Sequence, residues 1–134
     1  MQVLDDSAFS DAFCRFLQTS VPTVDAAELL LALAEEPGRG WLPAELSARL
    51  RATSSALSDP DIQRHLDQFQ AAGLVAPGAD GRRQYRPADE ALAAHVRMLA
   101  RAYRERPVTL FRVIYALRDL KIRSFADAFK VRRK

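Results

Sequence analysis

Arg64 and Gln68 stand four residues apart in a segment whose apolar residues Ile62, Leu66 and Phe69 recur at helical spacing. On a helix that spacing turns both polar side chains to one outward face. A guanidinium offers paired donors to O6 and N7 of guanine, and a carboxamide matches N6 and N7 of adenine. Further along, Arg82 and Arg83 follow the turn formers Asp80 and Gly81. A hairpin carrying guanidinium groups near its tip can enter a narrow minor groove, where the negative potential is enhanced. Upstream, Arg51, Ser54 and Ser55, with Arg49 and Thr53, form a polar stretch able to hydrogen-bond phosphate oxygens. Together these residues have the chemistry of a duplex DNA contact set.

Charge of the other sign lies in the same place. Asp59, Asp61 and Asp67 would face phosphates and repel them. Asp59 and Asp61 suit a helix N-terminus whatever the function, because carboxylates there meet the positive end of the helix dipole. An acidic helix also fits a second use, docking on a basic protein partner. The arginines at 82 and 83 likewise have a plainer role as charges that keep a hairpin soluble.

The net charge of +3 conceals a split along the chain. Residues 1–96 hold 8 Lys/Arg against 14 Asp/Glu, and residues 97–134 hold 12 against 3. Such asymmetry marks either a polyanion-binding end or helix faces that pair with the acidic part of the protein or of a second subunit. The basic ending, Arg123 and Lys130 to Lys134, has the same two readings: a backbone clamp or a solubilising tail.

Catalytic classes find no footing. His65 and His95 fall on different predicted helices, and Cys14 is distant from both. No metalloprotease, paired-cysteine, phosphate-loop or serine-hydrolase motif occurs. No enzyme activity, cofactor or metal is therefore expected. With Cys14 the sole cysteine, no intrachain disulfide can form and nothing implies export. The start, Met1 to Asp6, turns acidic at once instead of forming a leader. The longest apolar run, Leu29 to Ala34, is too short for a bilayer. A cytoplasmic, bacterial-type protein with no membrane contact is the expectation.

Helical spacing organises the rest. Phe9, Phe13, Phe16 and Leu17 give one wide apolar face to a helix from about Asp5 to Gln18, which should dock on the body or on a partner subunit. A second helix starts near Asp25, taken as its cap, carries Ala26, Leu29, Leu30 and Leu33, and is ended by Pro37-Gly38. Trp41, just before Leu42-Pro43, suits a short strand. Pro43 opens a third helix to about Leu50, with Leu42 where a polar cap would be expected. The Arg64 helix runs from about Asp59 to Ala72, capped by Ser58 or Asp59 and stopped by Gly73. Leu74 to Ala76 and Arg82 to Arg86 then form a hairpin around a Pro77 to Gly81 turn. Leu92, Val96, Leu99 and Tyr103 line a helix from about Asp89 to Glu105, and Pro107 begins another carrying Val108, Phe111, Ile114 and Tyr115.

The stretch from Val24 to Pro87, about half the chain, resembles the winged helix-turn-helix domains of MarR- and PadR-like bacterial transcriptional regulators. The resemblance is carried by Glu45 to Leu50, by Ile62, Leu66 and Phe69, by Ala72 to Val75, and by the Arg82 to Pro87 return strand. It implies a mostly α fold with a small β-hairpin wing: an N-terminal docking or dimerisation helix (1–22), a winged helix-turn-helix domain (23–87) and a C-terminal helical region with a basic tail (88–134). It also implies a DNA-binding regulator of duplex DNA, homodimeric through its terminal helices so that two domains meet two half-sites. The alternative is a winged-helix module that binds protein without binding DNA.

Overall fold

The computed structural model describes residues 9–51 and 57–118. Six α-helices lie among these residues: α1 (Asp11–Ser20), α2 (Val24–Ala34), α3 (Pro43–Arg51), α4 (Asp59–Ala71), α5 (Glu90–Glu105) and α6 (107–118). Three short strands, β1 (Gly40–Trp41), β2 (Val75–Pro77) and β3 (Arg83–Tyr85), make an antiparallel sheet in the order β1-β3-β2. The fold is mostly helical with one small sheet.

Side-chain caps set most helix starts. Ser10, Thr23, Ser58 and Asp89 each accept a hydrogen bond from the N–H three residues on, satisfying a donor that the helix itself cannot. Two expectations are corrected here. The first helix begins at Asp11, because Ser10 caps it and Phe9 precedes the cap. The second is capped by Thr23, whose hydroxyl reaches the Ala26 N–H at 3.1 Å, and Asp25 sits inside the first turn. The apolar start of α3 is compensated from within: the Glu45 carboxylate turns back to accept the Leu42 N–H at 2.9 Å.

Gly73 closes α4 at φ +83°. The Leu74 N–H reaches the Phe69 carbonyl and the Gly73 N–H reaches that of Gln70, at 2.9 and 3.1 Å. Two orphan carbonyls are thus satisfied, and buried Leu74 follows directly into β2. In the sheet, Val75 opposes Tyr85 and Pro77 opposes Arg83, while Trp41 opposes Arg83 from the other side.

One buried cluster joins Phe13 and Leu17 of α1, Leu30 of α2, Leu66 of α4, Leu99 of α5 and Ile114 of α6. The regions 1–22, 23–87 and 88–134 therefore share a core wherever they are described. The apolar face of α1 packs on α5, with Phe16 stacked on His95 at 5.1 Å between ring centroids. That stripe is used within the chain. On α6 the buried residues are Leu110, Val113, Ile114 and Leu117, while Val108 and Tyr115 are exposed. The helix phase is set by the leucine and valine side, so two of the four residues expected to form its apolar face point outward.

Candidate nucleic-acid interface

Helix α4 buries Ile62, His65, Leu66 and Phe69 and turns Gln63, Arg64, Asp67 and Gln68 to solvent. The expected outward set is thus presented together. Its charges are already engaged, however. Arg64 Nη1 lies 3.0 Å from Asp61 Oδ1, and Gln63 Nε2 donates to Asp67 Oδ1 at 3.0 Å. The Ser58 hydroxyl, and after it the Arg64 guanidinium, hold the Asp61 carboxyl below the usual carboxylate range.

The hairpin tip is Asp80 and Gly81, both at positive φ in a 3-10 turn (Ala79–Gly81). Arg82 and Arg83 lie past it, and both guanidiniums turn back to the body. Arg82 Nη1 meets Glu45 Oε1 on α3 at 2.7 Å, and Arg83 Nη2 meets Asp67 Oδ1 on α4 at 2.9 Å. The Arg83 side chain is only 16% exposed, and its Nη1 has no hydrogen-bond partner among the described residues. Insertion of these two arginines into a groove would require breaking both pairs.

Arg51 is exposed at the end of α3, and Arg86 is exposed just beyond β3. Neither makes an ion pair with a described residue. Arg49 is taken up by Glu35 and Glu36 of α2. Thr53, Ser54 and Ser55 lie outside the described residues.

Three residues gain roles that spacing did not reveal. Glu45 both caps α3 and anchors Arg82, and the Leu42 N–H, then Arg82, keeps its carboxyl below the usual range. The missing polar cap at Leu42, with a glutamate three residues on, was the available signal. His65 is buried on α4 against Phe69, and its Nδ1 has no partner among the described residues. Burial, then the Arg64 charge, lowers its pKa. The buried Trp41 ring carries the Arg39 guanidinium at 3.7 Å from its centroid.

Among the described residues, no group of three or more His, Cys, Asp or Glu is placed to hold a metal, and no helix is long and apolar enough to cross a membrane. No family model, curated protein or solved structure matches this chain.

Proposed function

We propose that residues 23–87 form a winged helix-turn-helix unit and that the protein is a DNA-binding transcriptional regulator without enzymatic activity. The supporting observation is one of order: α3, a short connector, α4 and the β2-β3 hairpin follow one another, and β1 completes the sheet on the far side of β3. In that arrangement α4 presents a polar face of a size the major groove admits. Arg64 and Gln68 read base edges, Gln63 assists, and exposed Arg51 and Arg86 meet phosphates. The Arg64–Asp61 pair is solvent-exposed, so exchanging it for a base costs little. Arg82 and Arg83 brace the wing against α3 and α4.

The test is fluorescence anisotropy of the full chain against a pool of genomic duplex fragments at low and raised salt. A subset should bind, affinity should fall steeply with salt, and Arg64→Ala should weaken it by roughly tenfold. Absence of binding to every fragment at low salt would reject the reading.

A second reading, a winged-helix module that binds a basic protein, is favoured by one specific observation. Arg64, Arg82 and Arg83 are each matched by a carboxylate, which leaves this face without the excess positive charge that duplex binders carry. Under it, the charge reversals Asp61→Lys and Asp67→Lys abolish partner capture from cell extract with the fold intact. Capture that survives both reversals removes this surface from consideration.

A further inference from the structure

The charge split in the sequence persists in the folded chain. Every ion pair among the described residues stays on one side of it: Arg39, Arg49, Arg64, Arg82 and Arg83 pair with Glu35, Glu36, Glu45, Asp61 and Asp67, while Arg97 and Arg101 pair with Glu90 and Glu105 of α5 itself. No described carboxylate of α1–α4 pairs with an arginine of α5 or α6. Two surfaces of opposite sign are therefore left uncompensated within the described chain.

The basic one is the outer face of α6. Arg112 and Arg118 are exposed and make no ion pair with a described residue. They flank Val108 and Tyr115, the only exposed large apolar side chains among the described residues. Positions 108, 112 and 115 fall on one side of a helix. The acidic surface lies where the N-termini of α2 and α4 converge. Asp25 and Asp59 are exposed without an ion pair to a described residue, and the charges of Asp25 and Asp61 both act on the His65 imidazole. That shared action places the two helix starts close together.

We infer that a second copy of this chain docks here, the α6 face of each copy on the Asp25–Asp59–Asp61 patch of the other. An isologous pair satisfies both surfaces at once, since residue i of one copy meets residue j of its partner and the reverse. Contact between two α6 faces is disfavoured, because Arg112 and Arg118 would meet their own images. Val108 and Tyr115 provide the apolar centre and the charges form the rim, the usual division of labour in an interface. The charges steer encounter and set the partner's orientation. This contact does not depend on the DNA-binding reading.

Sedimentation velocity of the full chain tests it through salt and charge exchange. A dimer at roughly 0.05 M salt should dissociate by roughly 0.5 M, where screening reaches only a few ångströms. Arg112→Glu with Arg118→Glu, and separately Asp25→Lys with Asp59→Lys, should each leave a monomer, with circular dichroism showing that both remain helical. Mixing the two reversed proteins should restore a dimer, because both contacts are attractive again in the mixed pair. Tyr115→Ser should weaken association by roughly tenfold. A monomer at every salt, a dimer unchanged by salt, or reversed proteins that stay monomeric on mixing would each overturn the inference.

Discussion

Arg83 on β3 and Asp67 on α4 are joined at 2.9 Å, which fastens the hairpin to the outward helix. The pair is unequal, since the arginine side chain is 16% exposed and the aspartate 59%. Removing either end has different consequences. Asp67→Asn should change stability by no more than about 1 kcal/mol, as expected for a pair open to solvent at one end. It should raise duplex affinity and steepen its salt dependence, because a carboxylate leaves the presented face and a guanidinium is released. Arg83→Ala should cost about 1–2 kcal/mol, since packing of the buried stem is lost with the charge. Urea denaturation and anisotropy on the same proteins separate the two effects.

Gly73 is the second point of leverage. Its φ of +83° is strained for any residue with a Cβ, and the added atom would lie 3.3 Å from the Ala88 Cβ. Gly73→Ala should lower the unfolding free energy by about 1–2 kcal/mol. The loss should appear as a shifted denaturation midpoint with an unchanged slope.

His65 makes the stability of α4 depend on mild acid. Burial, then Arg64, lowers its pKa from 6.5, with Asp25 and Asp61 acting in the opposite sense. Below about 6.5 the unfolded chain takes up a proton that the folded chain resists. Stability is therefore complete above that pH and declines as pH falls toward the folded pKa. His65→Phe should flatten this part of the profile. Denaturation midpoints of the two proteins between about pH 7.5 and 5 should diverge from parallel if the linkage is correct.

Tyr103 produces the converse effect in alkali. Burial, then the hydrogen bond its hydroxyl donates to Glu28 at 2.8 Å, pushes its pKa up to about 12. Above about pH 10 the unfolded phenol loses its proton first, so stability is complete below that pH and is lost as pH rises toward 12. Tyr103→Phe should remove this loss and cost about 1 kcal/mol at neutral pH. Ultraviolet titration of tyrosinate should show one late-ionising phenol that the variant lacks.

Much of the local structure was legible in the residues themselves. Ile62, Leu66 and Phe69 mark the buried stripe of α4, and Gly73 marks its end, because helical period and left-handed φ are local properties of the chain. Ser58 at the start of α4 and Trp41 in a short strand follow from similarly local signals. The outward placement of Arg64 and Gln68 follows from the same period.

What only the tertiary structure decided is where the long charged side chains end. Arg82 and Arg83 are adjacent in sequence and both follow the turn, yet one reaches Glu45, 37 residues away, and the other Asp67, 16 away. An arginine side chain spans several ångströms, so its partner is chosen by which elements the fold brings near, and no local pattern encodes that. The same holds for α6, where burial of Leu110, Val113, Ile114 and Leu117 sets the rotation and leaves Val108 and Tyr115 outside. Helix, turn and strand were written in residue type and spacing. Which charges neutralise one another, and which remain for a partner, was settled by packing.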